Sequence, residues 1–564
     1  MLRFIHNNVA NNIEMTENKQ LSDKLNTEFN LSKLKTINFG KLEGERDPKL
    51  EACFFPTNTI QKYLNEPINY ILSPKGAGKS ALFRTLEKKY LDNSQFDFDK
   101  YSIISINDAF GFDDEYLNIE DFEEKSRMKL TISWGLFILS KLILDIKNNF
   151  SDKPNYNQFI SEISKINEFK EKFNLYNLND LLNSLKTSIN FTANGQEFEV
   201  TPTIKFTKKN EKIVLNDLFK RINTFYKENN IKALILIDRI DNFVQKEKYD
   251  LQKKYIQGLF DSIEEISLLD NIHPTLFLRT DLFYSYDSDI EVDKIKDRTI
   301  ELKWTKGETL NFILYRFSSN KYIKETFNPF LIHFMKNDKV IKKEKSTPKT
   351  YFRRFVEFCS SKQTQKIKLL KEKQAYDYRI SEKYLTMFFP KEIEIFEGES
   401  IPFVDWIFEY LKDANGFVNP RLIIDFFNQL IEFENLHIQQ YCYENESIEY
   451  VTPSFDYQNN LFYENLFHQA SYASTYDKIQ NESLKNVLVL VKTKNFQILF
   501  KEINSISYHR SFFKYGDINM NKFDMPKDTF DNLLKYLKLL GFCKEIDKQK
   551  FEIPPLYRKK LDII

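Results

Sequence analysis

Glycines at 76 and 78, followed at once by Lys79 and Ser80, place the makings of a polyphosphate site within five residues. A phosphate chain needs many donors close to its oxygens, and bulky side chains hold the backbone away from it. Glycine lets successive N–H groups converge on the anion, and a helix starting near Lys79 turns the positive end of its dipole toward it. The segment runs from apolar Ile68–Leu72 through Ser73-Pro74-Lys75-Gly76-Ala77-Gly78-Lys79-Ser80-Ala81 into ALFRTLEKKYL, so strand, loop and helix follow in order. In such a P-loop the lysine bridges the β- and γ-phosphates and the serine hydroxyl coordinates Mg²⁺. Residues 73–81 are therefore the candidate lining for ATP, with Lys79 on phosphate and Ser80 on the metal. One position departs from the pattern, which opens with Gly where this chain has Ser73. That first glycine relieves the turn leaving the strand and supplies none of the phosphate donors. The competing reading is a chance Gly-Lys-Ser at a strand–helix turn.

A metal-bound triphosphate calls for a second element, a buried strand ending in an acid. Ala233-Leu-Ile-Leu-Ile-Asp238 fits, and α/β sheets bind ligands at the carboxyl ends of their strands. Many ATPases follow this acid with a glutamate, but here Arg239 follows. Asp241 is the nearest substitute for orienting a water, or else the N-cap of the next helix. Thr275-Leu-Phe-Leu-Arg-Thr-Asp281 is another apolar strand ending in polar residues. Arg279 or Thr280 there either senses the γ-phosphate or joins a strand-end ion pair. Arg421, in Asn419-Pro-Arg, opens a helix, where a cation opposes the dipole. Either an anion compensates it or a carboxylate partners it.

The elements that must position these residues follow an α/β pattern. Between 68 and 302, short apolar runs alternate with longer amphipathic ones, the signature of a mostly parallel sheet flanked by helices. The expected strands are Ile68–Leu72, Tyr101–Ile106, Ala233–Ile237, Thr275–Leu278 and Thr299–Leu302. The stretch 150–212 reads as an insertion, helical at first and then a hairpin about Asn194-Gly195, because Asn-Gly suits a type I′ turn. Residues 308–440 read as helical, interrupted by the basic loop 336–349. Near the C-terminus, Phe530, Leu533, Leu534, Leu537 and Leu540 share one helix face, with Pro526 near its start and Gly541 just past its end. Strands Phe542–Ile546 and Phe551–Ile553 follow, and helix then hairpin suggests a winged helix. The expected division is a flexible arm at 1–36, an ATPase core at 37–307, a helical domain at 308–440 and a winged-helix-like domain at 441–564.

Composition narrows the class. The 564 residues exceed one ordinary core, and 42% hydrophobic with 29% charged residues suits a globular chain. Lys and Arg number 82 against 81 Asp and Glu, so no net field draws the chain to nucleic acid, and any such site is a local patch. Four scattered cysteines make neither a disulfide framework nor a CxxC metal site, and six histidines show no ligand spacing. The most apolar helix, Trp134–Ile146, falls well short of the ~20 residues of a membrane span. These features point to the cytoplasm.

NFGKLEGERDPKLEACFF before the loop, PKGAGKSALF, ILIDRID, LFLRTDLF, DRTIELKW, NPRLIIDFFN and the closing FEIPPLYRKKL together resemble a bacterial P-loop ATPase family. That family is related to the KAP and STAND-like NTPases and is often found near mobile-element and phage-defence genes. The resemblance implies an additional-strand ATPase core, a helical lid and a C-terminal winged-helix-like domain. It also implies phosphate and metal roles for Lys79 and Ser80, a metal role for Asp238 and a sensor-like role for Arg421. Three functions compete. One is an ATP-driven switch gating a protein partner or effector, in antiviral defence for instance. Another is an ATP-dependent DNA-binding protein that reads through Lys527, Lys535, Lys538 and Arg558-Lys559-Lys560. The third is a nucleotide-binding scaffold without turnover. Whether the chain forms a homo-oligomer stays open.

Overall fold

A computed structural model describes residues 36–55, 57–92, 97–107, 127–165, 203–205, 212–240, 249–285, 295–326, 367–368, 385, 389–390, 392–396, 399–444, 455–456, 461–462, 469–490, 494–508, 510–518 and 527–559. The N-terminal arm, the turn at Asn194-Gly195, the basic loop 336–349, Pro526 and Asp241 lie outside the described residues. The chain divides into two compact units. One holds 62–73 and 82–302, the other 1–61, 74–81 and 303–564.

The first unit is built on five parallel strands, β1 (Tyr70–Ser73), β2 (Tyr101–Ile106), β3 (Lys232–Ile237), β4 (Ile272–Arg279) and β5 (Thr299–Glu301), in the order β2-β3-β4-β1-β5. All five expected strands form, with ends shifted by up to three residues. This is the α/β architecture of a P-loop NTPase core, with β4 inserted between the strand that leads into the loop and the strand that ends at Asp238. Parallel strands are covered on both faces, which is why β3 reads as an unbroken apolar run. Ala233 to Ile237 are all buried.

Helices α1 (Lys79–Glu87), α2 (Arg127–Asn149), α3 (Leu215–Glu228) and α4 (Tyr249–Ile266) supply the covering layers. Helix α2 contains the expected apolar stretch, and Trp134, Ile138, Leu142 and Ile146 are fully buried. No helix among the described residues is long and apolar enough to cross a membrane. Phe83 of α1 meets Phe277 of β4 edge to face at 5.6 Å. Within the insertion, a short antiparallel pair joins Thr203–Lys205 to Lys212–Val214.

The second unit gathers α5 (Lys306–Ser318), α6 (Phe403–Tyr410), α7 (Pro420–Glu444), α8 (Gln469–Leu490), α9 (Lys494–Tyr508) and α10 (Lys527–Leu539). One continuous hydrophobic core runs through it, from Ile37 to Tyr557. The segment before the P-loop is threaded into this core. Phe39 stacks on Phe427 at 4.5 Å, and Asp47 forms a buried ion pair with Arg316, whose Nη1 also donates to the carbonyl of Phe39. Thr305 and Glu308 close a reciprocal capping box at the start of α5.

At the C-terminal end, α10 buries Phe530, Leu533, Leu534 and Leu537 as its sequence pattern requires. The helix stops at Gly541, whose φ of 73° suits the left-handed residue that ends a helix. Strands β6 (Phe512–Lys514), β7 (Lys544–Asp547) and β8 (Lys550–Glu552) form an antiparallel sheet in the order β6-β8-β7. The loop between α6 and α7 docks on the end of α10, with Ala414 N–H donating to the carbonyl of Gly541 at 2.7 Å.

In that loop the Asp413 carboxylate accepts the backbone N–H groups of Asn415 (2.9 Å) and Phe417 (2.8 Å). Burial nonetheless pushes its carboxyl from 3.8 up to about 6. A raised carboxyl pKa means that the folded state holds its proton longer than the unfolded chain, so stability falls as pH climbs from 3.8 through 6. Asparagine keeps the accepting oxygen without the charge. Asp413→Asn should therefore melt higher than wild type at pH 7.5, by an increment worth about 1–2 kcal/mol after allowing for residual solvation. Melting curves at pH 4.0 and 7.5 check this. The advantage should disappear at the lower pH.

Candidate functional site

Parallel strands all end on the same edge of their sheet, so the residues following β1, β2, β3 and β4 are brought to one side by topology alone. Ser73 closes β1 in register with Arg279 of β4. Asn107 follows β2, Asp238 follows β3 and Thr280 follows β4. Asp238, Arg279 and Thr280 therefore lie at the carboxyl ends of neighbouring strands, on the edge where the sequence placed them.

That edge is built around polar atoms that the protein itself does not satisfy. The Ser73 hydroxyl, the Thr280 hydroxyl and the Asn107 Oδ1 are buried without a hydrogen-bond partner. A buried polar atom left unpaired costs about 1–3 kcal/mol, and these three share one sheet edge. Asp238 is 1% exposed, and its Oδ1 accepts the N–H of Arg239 at 2.8 Å. Arg239 itself has φ of 62°, an unusual conformation for a long side chain. This is the position where a glutamate was expected. Arg279 is committed within its own strand end, where Nε and Nη2 grip the two oxygens of Asp281 at 3.0 and 2.6 Å.

Ser73 shows why the missing first glycine matters little. Its position belongs to β1, is paired in the sheet and is 1% exposed, so the backbone is extended and any residue can adopt it. The left-handed conformations come later, at Gly76 (φ 89°) and Gly78 (φ 101°), and there the sequence does supply glycine.

The loop Pro74–Ala81 leaves β1 directly and enters α1, whose first residues are Lys79 and Ser80. Ala77 N–H closes a turn onto the carbonyl of Pro74 at 3.3 Å. Two side chains hold the remaining carbonyls. Asn419 Nδ2 donates to the carbonyl of Lys75 at 2.7 Å, and Trp304 Nε1 donates to that of Ala77 at 2.9 Å. Trp304 arrives three residues beyond β5, the strand beside β1. Asn419 also caps α7, because its Oδ1 accepts the N–H of Arg421 at 2.8 Å. The cap was legible in Asn-Pro at a helix start, but the reach of its amide to Lys75 was not, since it joins positions 344 residues apart.

Arg421 is the second residue of α7, at the helix start where the sequence places it. Its Nε donates to the carbonyl of Leu42 at 3.1 Å, so a backbone oxygen answers the cation. Glu43 is the carboxylate whose charge it feels. Among the described residues no cluster of three or more histidine, cysteine and acid groups is placed to hold a metal ion.

No family model and no curated protein matches the chain. Among solved structures, the Walker-type ATPase of Pyrococcus abyssi is similar over 90% of this chain and 94% of its own, at 11% identity and a TM-score of 0.32. Cdc6p of Pyrobaculum aerophilum is similar over 88% of each chain, at 10% identity and a TM-score of 0.23.

Proposed function

We propose that this chain is an ATP-binding P-loop ATPase that works as a nucleotide-dependent switch on a protein partner. The observation that carries this reading is the glycine loop in left-handed conformation that leaves β1 and enters α1 at Lys79 and Ser80, with Asp238 at the end of a buried strand of the same sheet as β1. Lys79 serves the β- and γ-phosphates, and the N–H groups of the loop serve the oxygens between them. Ser80 and Asp238 are the protein groups for Mg²⁺, which when bound withdraws charge from the phosphates. Thr280 and Asn107 offer hydroxyl and amide groups to the water around the metal or the γ-phosphate. Arg279 answers the γ-phosphate only by loosening its grip on Asp281, a competition that suits a switch. Asp241, outside the described residues, remains the proposed group for orienting the attacking water.

The switch reading is preferred to DNA binding because three of the six cations offered for DNA already face carboxylates. Lys538 pairs with Glu545 at 3.0 Å, Arg558 with Glu552 at 3.8 Å and Lys559 with Asp477. Phosphate contacts require such cations to be available, and each neighbouring carboxylate repels the DNA backbone.

Two outcomes follow. Lys79→Ala should lower ATP affinity by about 10- to 100-fold in titration calorimetry, the loss of one charge-assisted contact, and an unchanged isotherm rejects the site. In gel shifts with a 30-base-pair duplex, wild type should give no retarded band at low salt with or without ATP. A band that weakens steeply as salt rises would restore the DNA reading.

A further inference from the structure

We infer that Asn419 and Trp304 are positioning residues that aim the phosphate-binding N–H groups of the loop. A peptide unit is planar and trans, so its C=O and its N–H point in opposite directions. The carbonyl of Lys75 shares its plane with the N–H of Gly76, and that of Ala77 shares its plane with the N–H of Gly78. Asn419 fixes the first plane through its 2.7 Å bond, and Trp304 fixes the second through its 2.9 Å bond. The intervening N–H of Ala77 is turned back to Pro74. Two alternate donors are thus held pointing away from their clamps, on planes that glycine alone would leave free to rotate.

The clamp explains the glycine at 76 beyond its φ. A Cβ at that position would come within 2.2–2.7 Å of the Asn419 amide. It also accounts for the placing of both clamping groups. Trp304 is seated by ring contacts with Phe312 (5.3 Å) and Phe55 (6.4 Å), so its indole N–H has a fixed direction. Asn419 is held by its own bond to the N–H of Arg421. Preorganised donors bind an anion without the entropy cost of ordering them first.

The test separates the clamp from the structural duties of the same residues, and it rests on the ATP-binding reading above. Asn419→Ser keeps a good helix cap and adds no charge, while removing the amide that reaches Lys75. Trp304→Phe keeps an aromatic ring and removes the N–H together with part of the ring's bulk. Each should weaken ATP binding about fivefold and the pair about 25-fold, as expected for one neutral hydrogen bond each. The melting temperature should stay at the wild-type value in Asn419→Ser, the cleaner variant, and fall slightly in Trp304→Phe through lost packing. In the nucleotide-free protein, amide exchange in the 70–82 segment should speed up in both variants.

Affinities within a factor of about two of wild type at native melting temperatures would overturn the clamp. So would losses that merely track a fall in melting temperature. If wild type itself fails to bind ATP, the nucleotide reading falls. The exchange rates then still decide whether the two side chains order the loop.

Discussion

A peptide plane held on one side is aimed on the other, and the functional reading of this chain depends on that constraint. Glycine permits the left-handed turns at 76 and 78, but permission is not order. The bonds from Asn419 and Trp304 convert a permissive loop into a specified one. Both come from sequence positions far from the loop, so the anion-binding geometry belongs to the folded unit and not to the motif alone. A free peptide of residues 68–90 would carry the same glycines without the same donors.

The sheet imposes the second constraint. Strand order β2-β3-β4-β1-β5 sets β4 between the strand leading to the P-loop and the strand ending at Asp238. Right-handed crossovers through helices are what allow such non-sequential parallel neighbours. The consequence is chemical as well as topological. A third polar strand end, Arg279-Thr280, is interposed on the edge that carries Ser73 and Asp238. The buried hydroxyls of Ser73 and Thr280 lack partners on this edge, whereas a buried carboxylate elsewhere in the same unit is fully engaged. Asp145 accepts from Ser102, Tyr226 and Asn149.

Much of this was legible in the residues. Five strands announce themselves as apolar runs, and the α10 face and its Gly541 stop follow from 3.6-residue spacing and left-handed backbone preference. Lys79 and Ser80 sit at a helix start and Asp238 just past a strand end, positions that local pattern is enough to place. What could not be read is whatever joins distant segments. Nothing in the types of Trp304 or Asn419 says that they meet Ala77 and Lys75. Arg279 could be read as a sensor or as an ion pair, and only geometry shows the bidentate grip on Asp281. Ser73 misled in the opposite direction. It looked like a defect in the loop, yet it is the last residue of a strand, where glycine has no advantage.

Arg239 bears on the hydrolysis side of the proposed function. A long side chain in left-handed conformation costs on the order of 1 kcal/mol, and it persists only where surroundings over-determine it. Here the N–H of Arg239 bonds the Asp238 carboxylate, which favours that turn at the strand end. A glutamate at this position would put a base beside Asp238, but a guanidinium has no lone pair with which to accept a proton. Of the other described acids at this edge, Glu301 closes β5 and Asp281 is gripped by Arg279. On the proposed reading, Arg239 in place of a glutamate leaves the attacking water to Asp241, and slow turnover is compatible with a switch, whose bound state must persist.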